Sequence, residues 1–235
     1  MTLMGTSTVS AKGVSGLLDR ERLLAHMMGS RVYLVTDRAL AAGRREEEIV
    51  DAALAAGVGA VQLRLKQISG RDAYETARTL VSRCRRAGAP LFINDDVGLA
   101  LAVGADGVHI GQDDMPATAV RRLLTPSMLL GVTAARPDLA QQAQRDGADY
   151  VGVGAMFPTT TKGNTVATGL AGIREVRAVV DVPIVAIGGI SIGNVGVVME
   201  AGADVVAIVR AIVAAADPRA ASEELVRAIA AVRAR

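Results

Sequence analysis

One short phrase recurs along this chain and constrains its fold more than any other feature. A helix-compatible stretch ends at glycine, alanine follows, and an apolar run begins. The copies are Gly59-Ala60-Val61-Gln62-Leu63, Gly104-Ala105-Asp106-Gly107-Val108, Gly147-Ala148-Asp149-Tyr150-Val151 and Gly202-Ala203-Asp204-Val205-Val206. Glycine after a helix accepts the left-handed conformation that side-chain-bearing residues resist, which accounts for its place in the phrase. Four more apolar runs, at 32–35, 90–93, 128–132 and 183–187, bring the candidate strands to eight. Helix-compatible stretches such as 45–56 and 72–87 separate them. Strands alternating with helices imply a parallel sheet. Eight units favour a closed α/β barrel, (β/α)8, over an open doubly wound sheet, an alternative that periodicity alone leaves open.

The 235 residues suit a single barrel of this kind. The expected division is an N-terminal extension over residues 1–30 and a barrel domain over 31–235. Within the extension, residues 1–13 are small and polar and read as disordered, while 17–28 (LLDRERLLAHMM) reads as a short amphipathic helix. No basic start precedes an apolar core there, so it is not a secretory signal, and no apolar run reaches the ~18 residues of a membrane span. The expectation is a soluble, cytoplasmic protein with no membrane partner, a homo-oligomer being left open. A net charge of +2 without a basic, aromatic-rich patch argues against nucleic acid. The single cysteine, Cys84, lies in a helical stretch and reads as a small packing residue rather than a catalytic thiol.

In α/β barrels the chemistry sits at the carboxyl ends of the strands. Alternation after the second strand places Gln62, Arg64 and Lys66 on one side, where two cations and an amide suit a phosphate or diphosphate. The third and fourth strands end in Asn94-Asp95-Asp96 and Gln112-Asp113-Asp114. Parallel strands bring Asp95 and Asp114 to one edge, where two carboxylates suit a hard cation such as Mg²⁺. Either acid alone also suits a helix cap or a solvated loop. His109 lies within the fourth strand and reads as a satisfied interior residue. Thr133 follows the fifth strand. The loop Phe157-Pro158-Thr159-Thr160-Thr161-Lys162-Gly163 follows the sixth, and its hydroxyls and lysine suit an anion. Residues 157–168, rich in Thr and Gly, read as the lid. Paired glycines, Gly188-Gly189, follow the seventh strand, where barrels often bind phosphate.

QLRLK, IND, GADGVHIGQDD, GADYVGVGAMFPTTTKG and PIVAIGGIS, in this order, resemble segments of the thiamine phosphate synthase family. The resemblance runs from Arg31 to the C-terminus and leaves the extension outside it. It implies a (β/α)8 TIM barrel that joins a pyrimidine methyl diphosphate to a thiazole phosphate, releasing pyrophosphate. It further implies that Gln62 and Asn94 contact the aminopyrimidine, and that Arg64, Lys66 and Lys162 hold the diphosphate. Asp95 and Asp114 would bind Mg²⁺. Thr133, Thr159, Thr161, Gly189, Val209 and Arg210 would complete the substrate contacts, chiefly around the thiazole phosphate. Bond cleavage before bond formation is implied as well, which agrees with the lack of any nucleophile–base triad.

Two positions depart from that family's pattern, which usually has serine at Thr133 and near the end of strand eight, where Arg210 stands. Threonine keeps the hydroxyl, whereas Arg210 would either add a charge-assisted bond to phosphate or crowd it. Three rival functions are a thiazole tautomerase, a non-catalytic phosphate-binding barrel and a sugar-phosphate isomerase or aldolase. The tautomerase relies on a site histidine, and no histidine neighbours Thr133 in sequence. Arg210 is the only feature that hints at the phosphate-binding barrel, and the sugar-phosphate enzyme fits the glycines after strand seven but does not explain QLRLK together with two aspartates.

Overall fold

The computed structural model describes residues 11–66, 68–159 and 168–233. Its strands, in chain order around a closed parallel barrel, are β1 (Val32–Val35), β2 (Ala60–Leu63), β3 (Leu91–Asn94), β4 (Gly107–Ile110), β5 (Leu129–Thr133), β6 (Tyr150–Gly154), β7 (Ile184–Ile187) and β8 (Val205–Ile208). Val32 pairs with Val206 and Leu34 with Ile208, so β8 returns to β1 and the open sheet is excluded. Between strands lie α2 (Glu46–Ala55), α3 (Gly70–Ala87), α4 (Val97–Val103), α5 (Ala117–Leu123), α6 (Pro137–Arg145), α7 (Gly169–Arg177) and α8 (Val195–Glu200). The helices α9 (Arg210–Val213) and α10 (Pro218–Arg233) follow β8.

The recurring phrase has two structural parts. Its glycine ends a helix, as Gly104 does for α4 at φ +64°; in the first copy Gly57 takes the left-handed conformation instead of Gly59. Its aspartate clamps the start of the preceding strand. Asp106 accepts from the Leu91 N–H at 2.9 Å, Asp149 from Leu130 at 2.7 Å and Asp204 from Ile184 at 2.8 Å. These acids therefore lie at the amino-terminal rim, away from the chemistry, and satisfy strand N–H groups that would otherwise be orphaned.

Inside the barrel Tyr33, Phe92 and Tyr150 meet ring against ring, with centroids 5.4–6.2 Å apart. They are three of only five aromatic residues in the chain. Glycines on the neighbouring strands make room: a Cβ on Gly107 would come within 2.7 Å of the Phe92 ring, and one on Gly131 would collide with Tyr150.

The extension folds further than expected. The helix α1 runs Ala11–Ser30, so the expected disorder at 11–13 is replaced by helix and the expected 17–28 segment lengthens at both ends; residues 1–10 lie outside the described residues. Met27 is wholly buried in one cluster with Tyr33, Phe92 and Leu129, and Leu23, Leu24 and Met28 pack against that cluster, so α1 closes the amino-terminal end of the barrel. Arg20 donates to Asp149 at 2.6 Å from one side and Arg121 at 3.2 Å from the other. No helix among the described residues is long and apolar enough to cross a membrane.

Asp149→Ala leaves two guanidinium groups and a strand N–H without their shared carboxylate. It is expected to cost about 3 kcal/mol in urea denaturation at pH 7; an unchanged midpoint would exclude the anchoring role. Cys84 is fully buried and burial pushes its thiol up to about 12. Iodoacetamide at pH 8 is therefore expected to leave the native protein unlabelled and to label it in denaturant, as mass spectrometry will read.

Candidate active site

The carboxyl ends of the strands open on one face, and the polar residues singled out in the sequence gather there. At β2, Gln62 points inward, is buried, and donates through Nε2 to the Tyr33 hydroxyl at 3.0 Å. Arg64 leans instead on the end of β1: its backbone N–H donates to Thr36 Oγ1 at 3.0 Å and its guanidinium to Asp37 Oδ2 at 2.8 Å. Lys66 reaches across to β3, its Nζ 3.8 Å from Asp95 Oδ2.

Asn94 ends β3, and Asp95 follows in the left-handed region at φ +64°. Asp tolerates that conformation better than most residues, yet it costs on the order of 1 kcal/mol. The turn is held by the Asp95 N–H, which donates to the His109 carbonyl at 2.9 Å. It aims the Asp95 carboxyl at that of Asp114, whose Oδ2 accepts from the Gly111 N–H at 2.7 Å. Burial raises the Asp95 pKa and the neighbouring Asp114 raises it further, while Lys66 and Asn94 pull it down. Asp96 takes the capping role that either acid could have had, accepting from Leu99 N–H at 2.8 Å to start α4.

At β4 and β5, His109 Nε2 lies 2.9 Å from Thr133 Oγ1, and Gln112 donates to the Thr133 carbonyl. A histidine is thus beside Thr133 in space although none is near in sequence, because β4 and β5 are paired neighbours. The ends of β6 and β7 are stitched together: Met156 N–H donates to Ile187 and Phe157 N–H to Gly188, both at 3.0 Å. Gly188 has φ +101°, and a Cβ there would lie 2.7 Å from Ala155 Cβ. Gly189 backs onto Phe157 and Pro158, and Asn194 fastens the turn by donating to the Gly189 carbonyl at 3.0 Å. Thr159 lies in the loop after β6; Thr161, Lys162 and most of the expected lid at 157–168 lie outside the described residues. Val209 packs on the barrel interior, and Arg210, exposed, begins α9.

A family profile described as thiamine monophosphate synthase matches residues 32–212. The chain belongs to the thiamine monophosphate synthase family. It is 51% identical over 203 residues to the thiamine-phosphate synthase of Chloroflexus aurantiacus, covering 86% of this chain and 94% of the relative. The corresponding protein of Moorella thermoacetica is 47% identical over 83% of this chain and 93% of its own. The solved thiamine phosphate pyrophosphorylase of Pyrococcus furiosus superposes with a TM-score of 0.81 at 36% identity, covering 88% of this chain and 98% of that one. The family match begins at β1, so α1 is outside it.

For a member of this family the donor set fits a magnesium ion. Asp95 and Asp114 offer oxygen alone, and two carboxyls in contact call for a cation between them or a shared proton. No third acid, histidine or cysteine joins them among the described residues. Magnesium commonly completes such a pair with water and substrate phosphate. Sequence reading overlooked Thr36 and Asp37. They stand directly after an apolar run, the same signal that exposed the other strand ends, and they hold Arg64 in place.

Gly189→Ala forces a Cβ to within 2.7 Å of Phe157 Cβ at φ +68°. The expected result is a loss of about 1–3 kcal/mol in urea denaturation with the circular dichroism of the barrel retained. Unaltered stability would show that the β6–β7 turn is looser than described.

Proposed function

We propose that this protein makes thiamine phosphate from 4-amino-2-methyl-5-hydroxymethylpyrimidine diphosphate and 4-methyl-5-hydroxyethylthiazole phosphate. The observation carrying this reading is the contact of Lys66, Asp95 and Asp114 at the ends of β2, β3 and β4, with Arg64 held by Asp37 at the adjoining end of β1. Cations there suit a diphosphate, while the paired carboxyls suit the metal that accompanies it.

Asp95 and Asp114 would hold Mg²⁺, which when bound offsets the charge that collects on the departing diphosphate. Arg64, oriented by Asp37, faces that charge from β1 and β2, and Lys66 and Lys162 add to it. Gln62 and Asn94 orient the aminopyrimidine from the ends of β2 and β3. Thr133, Thr159, Thr161 and Gly189 hold the thiazole phosphate, with Val209 as an apolar wall and Arg210 at the rim. The carbon–oxygen bond to diphosphate breaks with its electron pair leaving on oxygen, and the thiazole nitrogen lone pair forms the new carbon–nitrogen bond. No proton is transferred, so no general base is required.

Pyrophosphate release from the two substrates tests this assignment. Chelation with EDTA is expected to abolish it, and Asp95→Ala to lower kcat/KM on the order of 100-fold. Full turnover by the Asp95→Ala protein would remove the metal-holding role. Arg210→Ser is expected to leave the KM for thiazole phosphate within about threefold, below the ~10-fold that a full charge-assisted bond would give.

A further inference from the structure

Four hydrogen bonds join five side chains through the interior of the barrel: Gln62 to Tyr33 at 3.0 Å, Tyr33 to Tyr150 at 3.1 Å, Tyr150 to His109 Nδ1 at 3.0 Å, and His109 Nε2 to Thr133 at 2.9 Å. Both ends of this chain sit where the proposed substrates would bind, while its middle does not reach them. Tyr33 and Tyr150 are wholly buried, at 1% and 0% exposure. Burial raises both phenol pKa values, so each phenol keeps its proton.

The donors can be counted. A phenol has one proton to give, and a neutral imidazole has one N–H and one acceptor nitrogen. The Gln62 amide donates to the Tyr33 oxygen, so the Tyr33 proton is directed to Tyr150. The Tyr150 proton then goes to His109 Nδ1, which leaves Nε2–H to donate to Thr133. Every bond runs the same way. Reversing any one would place two protons, or none, between a pair of buried or half-buried atoms, at a cost of about 1–3 kcal/mol.

We propose that Tyr33, Tyr150 and His109 are positioning residues that tie the polarity of Gln62 to that of Thr133. Gln62 is held with its carbonyl oxygen toward the mouth, as an acceptor for an exocyclic amino group. Thr133 keeps its own proton to donate outward. The ring stack supports the arrangement, since His109 lies on Tyr150 with centroids 5.6 Å apart and planes 24° apart. Gly131 secures the space, because any Cβ there would strike both Tyr150 and His109. This inference rests on the assignment of Gln62 to the pyrimidine and Thr133 to its partner.

Two measurements test it. The first is ¹⁵N NMR of the His109 ring at pH 8.5 in a His26→Gln background, which leaves one imidazole. The expected signal is the Nε2–H tautomer; an Nδ1–H tautomer would overturn the proposal, whatever the enzyme turns over. The second is a kinetic split. Tyr33→Phe is expected to raise the KM for the pyrimidine diphosphate about fivefold to tenfold while leaving that for thiazole phosphate within about twofold. In a Gln62→Ala background the same substitution is expected to change neither. Equal effects on both substrates, or an undiminished effect without Gln62, would reduce Tyr33 to a packing residue. If the unsubstituted protein released no pyrophosphate, the reaction assignment would fail, and the tautomer would still decide the network.

Discussion

Pairing of β8 with β1 is the constraint on which everything else depends. Once Val32 lies opposite Val206 and Leu34 opposite Ile208, no strand has a free edge and every strand's carboxyl end faces the same way. A closed parallel barrel must then bury both faces of its strands, one against the helices and one against itself. The helix side is filled by Val, Ile, Leu and Ala. The interior is filled differently, by Tyr33, Phe92 and Tyr150 set against glycines, with Met27 of α1 closing the end.

That interior explains how a chain so poor in aromatics still packs its centre. The rings are spent where volume is needed, and small residues stand where a ring crosses. It also explains why polar groups are tolerated there. The two phenols, the imidazole and the amide are worth burying only because each satisfies the next, which is the condition on any interior polar network. The same chain of bonds connects the packed centre to the two sides of the mouth.

The mouth itself is organised by charge. Asp37 orients Arg64, Lys66 approaches Asp95, and Asp95 is turned by an unusual backbone conformation toward Asp114. Two acids pressed together are unfavourable alone and favourable around a cation, so backbone strain at Asp95 is what brings the two carboxyls together. Opposite lies the stitched turn of β6 and β7, where Gly188 and Gly189 allow two loops to touch.

Much of this was legible in the residues. The Gly-Ala phrase and the apolar runs determined the eight strands, because a cap and a buried strand are local requirements of backbone chemistry. The strand ends then announced Arg64, Lys66, Asp95 and Asp114. Tertiary structure alone decided three things. It showed that the phrase's aspartates clamp strand starts, since Asp106, Asp149 and Asp204 find partners 15, 19 and 20 residues earlier in the chain. It folded the extension into a helix long enough to close the barrel, a role set by Met27 and Arg20 meeting distant residues. And it placed His109 between Tyr150 and Thr133, which are 41 and 24 residues away. Periodicity reports which face a residue takes; only closure of the barrel determines whom it meets there.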